Sequence, residues 1–408
     1  MATIKKLFAE EVLNAKGYPT VEATVILSND IIASSSPPSG TSKGTYEAHE
    51  IGVLKAVENV NKIIAPNLLS IDINNQQKID NIMIELDGTK DKSKLGANAI
   101  LSVSQAVTKA AAKNSSLPLY LYLKNLVSSN KAPKNYPTPL FVMLAGGKHA
   151  HNSIDLQEIL LVPPNSKTLE EKIEIGVNIY HLLEHKLLKL GLSTLTSIEG
   201  GFSPNFSNNI EALNLIKGVI TNSGYKLSSD VSLGIDVASS SFYKEKQYFL
   251  KDKTTPYSPE DLTNLYQKLI SDFNIIYLED PFSEDDWSSW QKGFKKLSRQ
   301  SLIVGDDLTV TNPDRLKLAL SKNAINGIVI KPNQIGTISQ TLDVVKTARL
   351  NNLKVVVSHR SGETMDDFIA DFAIGVGADY VKFGAPARER VIKYNRLLKI
   401  KRELDQNP

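Results

Sequence analysis

The stretch "GIVIKPNQIGT", Gly327 to Thr337, begins with four residues typical of a buried β-strand, and Lys331 follows them at once. A lysine is almost never fully buried unless another group pairs with it. A charged side chain at the tip of a core strand is therefore a candidate functional group.

Other predicted strands end in charged residues of both signs. The runs "VSLGID", "IIYLED", "LIVGDD", "KVVVSHR" and "DYVKFG" alternate with amphipathic helical patterns, and the intervals 306 to 331, 331 to 359 and 359 to 382 each suit one βα unit. Repeated βα units predict a (β/α)8-type barrel, whose active site lies at the carboxyl ends of the strands. A doubly wound sheet is the alternative, but no G-x-G-x-x-G follows an early strand. The predicted strand ends carry Glu158, Glu199, Asp236, Glu279, Asp306, Lys331, His359 with Arg360, and Lys382.

The first part of the chain has a different pattern. "TIKKLFAEEVL" and "TVEATVILS" predict a β-hairpin, and "LGANAILSVSQAVTKAAAKN" predicts a helix. The Pro-rich segment "SSNKAPKNYPTP", Ser128 to Pro139, is the candidate linker. We expect an N-terminal α+β domain over residues 1–133 and the barrel over residues 134–408.

Composition narrows the class of protein. The chain has 408 residues, 41% hydrophobic and 22% charged, with a net charge of +3 and no cysteine. Thiolate catalysis and disulfides are thereby excluded, and so small a net charge does not indicate nucleic acid or a membrane surface as the main partner. Without a signal-like N-terminus or a long apolar run, a soluble intracellular protein is expected.

The charged strand ends predict a metal site facing a group of cations. Asp236, Glu279 and Asp306 supply hard oxygen ligands that suit Mg²⁺. Lys331, Arg360 and Lys382 would face them and hold an anionic substrate, such as a phosphorylated or carboxylated acid. Neighbouring positive charges and partial burial should lower the pKa of a lysine, which would let it act as a base.

The chain resembles the enolase family over nearly its whole length. The resemblance is carried in order by "PPSGTSKGTYEA", "ELDGTKDKSKLGANAILSVS", "GGKHAHN", "LQE", "EGGFSPN", "GIDVASS", "EDPFSEDDW", "GDDLTVTNP", "KPNQIGT", "SHRSGET" and "ARERVIKYNRLLKI". It implies the reversible dehydration of 2-phosphoglycerate to phosphoenolpyruvate in glycolysis, in the cytoplasm, by a lyase that forms dimers or larger homo-oligomers.

The resemblance also implies roles for individual residues. Lys331 matches the general base that removes the α-proton, and Glu199 matches the general acid. Two Mg²⁺ ions are implied, which would stabilise the aci-carboxylate intermediate. Asp236, Glu279 and Asp306 match the ligands of one ion, and Ser42 matches a residue of a mobile loop that helps to hold the other. The remaining matches are Glu158 beside the acid, and Gln157, His149, His359, Arg360, Ser361 and Lys382 as substrate contacts.

Several positions depart from the family pattern. Ile198 replaces an Asp before the catalytic Glu, Ser241 replaces an acid, Lys43 follows Ser42, and "ARERV" lacks one residue. Ile198 should raise the pKa of nearby carboxyl groups by desolvation. These departures leave two alternatives open: an enolase-like enzyme for another phosphorylated or phosphonate acid, or a weakly active paralogue with a binding role.

Overall fold

The N-terminal part of the chain forms a small α+β unit. The computed structural model describes residues 2–40, 44–127, 136–150 and 154–406. The predicted hairpin is confirmed as β1 (Ile4–Leu13) and β2 (Pro19–Leu27), and β3 (Ile32–Ser35) completes an antiparallel sheet. The helices here are α1 (Val53–Asn59), α2 (Ala65–Leu68), α3 (Gln76–Asp87), α4 (Ala97–Asn114) and α5 (Leu119–Val127), with a π-helical turn at Val60–Ile64.

The second part is built on strands that close into a barrel. The strands in chain order are β4 (Thr138–Ala145), β5 (Glu158–Val162), β6 (Ser232–Asp236), β7 (Tyr243–Lys244), β8 (Gln247–Tyr248), β9 (Ile275–Glu279), β10 (Leu302–Gly305), β11 (Gly327–Ile330), β12 (Lys354–Ser358) and β13 (Tyr380–Gly384). Within the described residues, eight of them form the barrel, and only the short hairpin β7–β8 stays outside it. The prediction of a barrel with an N-terminal α+β domain is thus confirmed.

Helices surround the barrel. They are α6 (Leu169–Lys189), α7 (Asn209–Asn222), α8 (Pro259–Phe273), α9 (Trp287–Leu297), α10 (Pro313–Ser321), α11 (Pro332–Ile335), α12 (Ile338–Leu350), α13 (Phe368–Gly375) and α14 (Val391–Gln406). Reciprocal capping boxes begin α6 at Thr168 and α8 at Ser258, so local sequence fixes where these helices start. Among the described residues, none of the helices has the length and apolar character needed to cross a membrane.

One strand runs against the predicted βα pattern. Strand β5 is antiparallel to both β4 and β6, whereas β6 and the later strands pair in parallel. Between β4 and β5 the described residues form a short 3₁₀ turn, Gly147–His149, instead of a helix, so the chain reverses direction there. The first residue of β5 therefore lies at the same end of the barrel as the last residues of its neighbours.

Apolar side chains fill the interior of the barrel beneath that end. Buried residues from the barrel strands form this cluster: Leu140, Val142, Leu160, Val162, Tyr277, Val304, Val329 and Val356. A larger apolar cluster lies between the strands and the surrounding helices, and a third fills the N-terminal unit. The charged groups at the mouth of the barrel consequently lie above an apolar interior, where electrostatic interactions are weakly screened.

The two parts of the chain are joined by buried hydrogen bonds. Asp80 of α3 is fully buried and accepts hydrogen bonds from the backbone N–H of Ser339, at 2.9 Å, and from its hydroxyl, at 2.7 Å. Lys109 of α4 pairs with Asp366 at 2.7 Å. The predicted boundary between residues 133 and 134 falls outside the described residues, so its position stays a prediction.

A pair of helical glycines tests how tightly α6 packs on the barrel. A Cβ atom added at Gly176 would lie 2.4 Å from the ring of Phe141, whereas one added at Gly218 of α7 would meet nothing within 4 Å. We expect Gly176→Ala to destabilise the fold by about 1–3 kcal/mol through overpacking. Gly218→Ala should stabilise it by roughly 0.5–1 kcal/mol through helix propensity. Thermal or urea unfolding of both variants measures the difference, and shifts of the same sign would contradict this account of the packing.

Candidate active site

Three carboxylates stand side by side at the mouth of the barrel. In the strand register Glu158 of β5 pairs with Asp236 of β6, and Asp236 pairs with Glu279 of β9. All three side chains are almost completely buried. The prediction that Glu158 ends a strand is wrong, because Glu158 begins β5, but the reversal of β5 brings it to the same place.

The ammonium group of Lys382 lies among these carboxylates. Its Nζ is 2.8 Å from Asp236 Oδ2, 2.8 Å from Glu279 Oε1 and 2.9 Å from Glu158 Oε2. Burial alone would lower the pKa of Lys382, but the three carboxylates raise it well above its usual value. Lys382 is therefore a fixed positive charge that holds the acids in place.

One lysine does not neutralise the acids around it. Burial and the charge of Asp236 raise the pKa of Glu279 well above its usual value, although Lys382 opposes them. The other carboxylate oxygen of Glu279 accepts a hydrogen bond from Tyr277 at 2.5 Å. A cation bound beside Glu279 would offset the repulsion from Asp236 and stabilise the ionised carboxylate.

Lys331 pairs with another acid of the same mouth. It follows β11, and its Nζ forms an ion pair with Asp306 Oδ2, while Gln334 donates to Asp306 Oδ1 at 3.0 Å. Burial, Arg360 and Lys382 lower the pKa of Lys331, but Asp306 outweighs them and the pKa is raised. The expectation of a lowered pKa for this lysine is thus wrong for this arrangement, because its nearest charge is negative.

Asp280 is a residue of the site that sequence reasoning missed. Its two carboxylate oxygens accept hydrogen bonds from the backbone N–H groups of Asp306, at 3.0 Å, and Asp307, at 2.7 Å. Oxygens of Asp280, Asp306 and Asp307 all lie within 4.8 Å of one another. The doublets "ED" and "DD" at neighbouring strand ends were the available signal.

The predicted acid, Glu199, does not end a barrel strand. It lies in a turn between α6 and α7, where Thr196 and Phe202 bridge and Phe202 pairs with β4 at Leu144. Tertiary bridges rather than a strand therefore deliver Glu199 to the mouth, and the strand expected at "LTSI" does not form. His149 Nδ1 lies 3.5 Å from Glu199 Oε2 and 3.2 Å from Glu158 Oε1.

The acid and the histidines beside it have strongly shifted pKa values. Burial raises the pKa of Glu199, but the charges of His149, Arg390 and Lys382 prevail and lower it to about 2. Burial lowers the pKa of His149, but the neighbouring glutamates raise it to about 9. The expected rise in the pKa of carboxyl groups beside Ile198 is therefore wrong for Glu199, because nearby cations outweigh desolvation. His359, 3.4 Å from Glu199, has its pKa lowered well below the usual range by burial and by Arg390.

Arg360, a predicted substrate contact, is held from both parts of the chain. Arg360 Nη1 lies 2.9 Å from Oε2 of Glu47, a residue of the N-terminal domain that sequence reasoning missed. Arg390 is completely buried and donates to the backbone carbonyls of Arg360, at 2.7 Å, and Ser361, at 2.8 Å. Gln157 donates to Asp236 Oδ2 at 3.3 Å. Ser42 lies outside the described residues.

Most of these groups line one pocket. Glu279 does not line this pocket. The sequence-predicted residues that line the pocket are His149, Gln157, Glu158, Glu199, Asp236, Asp306, Lys331, His359, Arg360, Ser361 and Lys382.

The donor set fits a hard divalent cation. The candidate ligands are carboxylate oxygens, which Mg²⁺ prefers, and burial together with the charge of Asp236 raises the pKa of Glu279 among them. Lys382 and Lys331 each hold oxygens that were predicted as ligands, so a bound ion would share Asp236, Glu279 and Asp306 with these lysines. The metal-capable cluster seen around Asp306 extends the predicted set by two carboxylates, those of Asp280 and Asp307.

Family models cover both parts of the chain. Residues 4–123 match the model described as the enolase N-terminal domain, and residues 133–408 match the enolase C-terminal TIM barrel domain. The chain belongs to the enolase family. An enolase from a Nitratiruptor species is 45% identical over 415 aligned residues, which span 99% of this chain and 97% of that relative. The chain is accordingly a phosphopyruvate hydratase, a carbon–oxygen lyase.

Asp280 offers a direct test of how the acidic strand ends are held. Asp280 and the exposed Asp30 both have positive φ, so asparagine suits either backbone equally well. Asp280→Asn replaces one acceptor by an N–H donor that would face a backbone N–H, and we expect a loss of about 1–3 kcal/mol. Asp30→Asn removes only a surface pair with Lys5 and should cost less than about 1 kcal/mol. Equal unfolding midpoints for the two variants would argue against this role of Asp280.

Proposed function

We propose that this enolase dehydrates 2-phosphoglycerate reversibly to phosphoenolpyruvate in glycolysis, with Lys331 as base and Glu199 as acid. The proposal is carried by one observation: a partly buried lysine, Lys331, and a buried glutamate, Glu199, line the same pocket as Arg360, Asp236 and Asp306. Cations and acids meeting there suit an anionic substrate that must lose a proton and a hydroxyl group.

Lys331 would remove the α-proton. To act as a base it must give up its ion pair with Asp306, and the charges of Arg360 and Lys382 then favour the neutral amine. Asp306 is also a candidate metal ligand, so its carboxylate would exchange the ion pair with Lys331 for a contact with the metal ion. The tip of β11 and the bond from the backbone N–H of Lys331 to Thr311 Oγ1, at 2.9 Å, hold the base in place.

Glu199 would deliver a proton to the departing hydroxyl, drawing it from His149. With a pKa of about 9 for His149 and about 2 for Glu199, the proton resides on the imidazole at neutral pH. The two groups are 3.5 Å apart, and for the proton to pass, substrate binding must raise the pKa of Glu199 and lower that of His149 as well as bring the two groups closer. Glu158, 3.2 Å from the same imidazole nitrogen, would keep the ring oriented.

The remaining predicted contacts would bind the two ends of the substrate. Arg360 and Ser361, with His359 beside them, would hold the phosphate, since a guanidinium fork matches phosphate geometry. Lys382 would face the carboxylate, and Gln157 would complete the pocket at Asp236.

The metal site would be formed by Asp236, Glu279 and Asp306, and we propose two Mg²⁺ ions, the second held with the help of Ser42. Bound divalent ions would supply positive charge to stabilise the carboxylate of the substrate as its α-proton leaves. The all-oxygen ligands support the choice of Mg²⁺.

The wider context is also proposed from the family. It comprises a domain boundary at residues 133 and 134, a homodimer or larger assembly, a cytoplasmic location, and no nucleic-acid or membrane partner.

A coupled assay for phosphoenolpyruvate, with and without Mg²⁺, tests the activity. Turnover of a phosphonate analogue but not of 2-phosphoglycerate would favour the alternative substrate class, and inactivity on both would favour a binding role.

Removing one metal ligand should weaken metal binding. In Asp306→Asn a charged ligand of a hard cation becomes neutral, and we expect Mg²⁺ affinity to fall at least roughly 10-fold. Calorimetric titration of Mg²⁺ into the folded variant measures this without relying on turnover. Asp314→Asn, on the exposed first turn of α10, is the matched control and should keep wild-type affinity. Unchanged binding by Asp306→Asn would rule out this ligand.

Removing the acid should separate the two halves of the reaction. In Glu199→Gln the lysine can still take the α-proton, but the hydroxyl leaves unassisted, so dehydration should fall by about 10²–10⁴-fold. Exchange of the α-hydrogen with solvent, followed by NMR in D₂O, should fall much less. Glu184→Gln on the exposed face of α6 should change neither rate. If exchange and dehydration decline in parallel in a folded variant, the assignment of Glu199 is wrong.

A further inference from the structure

An arginine on α10 ties together two loops that lead away from the barrel mouth. Arg315 is 8% exposed, and its Nε donates to the carbonyl of Leu308 at 2.8 Å. Its Nη1 donates to Asp285 Oδ1 at 3.0 Å, and its Nη2 donates to the carbonyl of Glu284. Leu308 belongs to the loop after β10, and Glu284 and Asp285 belong to the loop after β9. Arg315 thus links the loop that follows Glu279 to the loop that precedes α10.

The same guanidinium holds a segment of the N-terminal domain. Its Cζ lies 4.1 Å from the ring centroid of Tyr46 and 4.8 Å from that of Trp287, both within cation–π range. The hydroxyl of Tyr46 donates to the carboxylate of Asp285 at 3.0 and 3.1 Å, and this bond is the main reason why the pKa of Tyr46 is raised. Thr45 Oγ1 adds a bond to Glu284 Oε1 at 2.5 Å.

The residue after Tyr46 enters the pocket. The Oε2 of Glu47 lies 2.9 Å from Arg360, and its Oε1 accepts from Gln334 at 3.4 Å and from the backbone N–H of Gly44 at 3.0 Å. The Glu47 side chain is 6% exposed, whereas Tyr46 is 42% exposed. Adjacent residues therefore face opposite ways, one held outside by Arg315 and one held inside against Arg360.

We propose that Arg315 and Tyr46 form a clamp that positions Glu47, and through it Arg360, for binding of the substrate phosphate. The inference rests on the proposed function, because it gives Arg360 the phosphate. Glu47 fixes the direction of the guanidinium, and the clamp fixes Glu47, although neither clamp residue lines the pocket. Arg315 and Tyr46 are positioning residues in this scheme.

The proposal predicts a particular kinetic signature. The phosphate is held in the ground state and in the transition state alike, so loss of the clamp should raise KM and leave kcat nearly unchanged. A purely structural role for the clamp would instead lower the unfolding temperature at constant KM.

Variants of Tyr46 are the safest probes, since its side chain is exposed enough for the fold to survive. Tyr46→Ala removes both the ring and the hydroxyl, and we expect KM for 2-phosphoglycerate to rise roughly 10-fold, with kcat within about 2-fold. Tyr46→Phe keeps the ring over the guanidinium and should rescue most of the loss. Arg315→Lys keeps the charge but loses the donor fork, and it should resemble Tyr46→Ala.

A double-mutant cycle tests whether Tyr46 acts through Glu47. In the background of Glu47→Gln, which already weakens the pair with Arg360, adding Tyr46→Ala should raise KM by much less than it does alone. Full additivity of the two changes would contradict the clamp.

The matched controls lie away from the pocket. Phe8→Ala removes an aromatic ring that has Lys6 Nζ 4.9 Å from its centroid, and Arg349→Lys removes a fork that binds Asp379 at the start of β13, the opposite end of the barrel. Both should keep wild-type KM. If Tyr46→Ala and Arg315→Lys keep it too while the native enzyme is active, the clamp is refuted and the proposed function stands. A native chain that is inactive on 2-phosphoglycerate refutes the proposed function, and the clamp with it.

Discussion

The ammonium group of Lys382 is the interaction on which the rest of the site depends. It reaches three carboxylates from three adjacent strands, within 2.9 Å of each, in a part of the barrel closed to water below. Unpaired, these acids would each carry a desolvation cost of several kcal/mol. Their convergence is tolerable only because a cation of fixed position stands between them. The strand register brings the acids together, and the lysine at position 382 supplies the positive charge that makes their proximity stable.

The sequence predicted which charged residues lie at the barrel mouth better than it predicted the course of the backbone that carries them. Charged residues at strand tips predicted the barrel and most of the charged groups that line its mouth, because period and residue type are local properties. The reversal of β5 was not predicted, since the missing helix between β4 and β5 leaves no periodic signal of strand direction. Glu199 was expected at a strand end but lies in a turn held by bridges to β4, and bridges between distant segments cannot be deduced from spacing.

The signs of the pKa shifts were also difficult to predict from the sequence. The sign of a pKa shift depends on the nearest charges, and these come from elsewhere in the chain. Lys331 was expected to lie among cations, yet Asp306 is its direct partner. Ile198 was expected to raise the pKa of Glu199 by desolvation, and burial does act in that direction, yet the combined charges of His149, Arg390 and Lys382 outweigh it. Asp280 and Glu47 were missed for a related reason, because their roles rest on hydrogen bonds and ion pairs with residues remote in sequence.

The reversal of β5 has a consequence for how the mouth of the barrel can change. The loops after β9, β10, β11 and β12 run from a strand into a helix, so only one end of each is anchored at this rim. The connection between β4 and β5 leaves one strand and enters another at the same rim, and it bears His149 near one anchor and Gln157 near the other. Each end of this connection is held by its own strand, so a change near His149 would leave Gln157 in place, and a change near Gln157 would leave His149 in place.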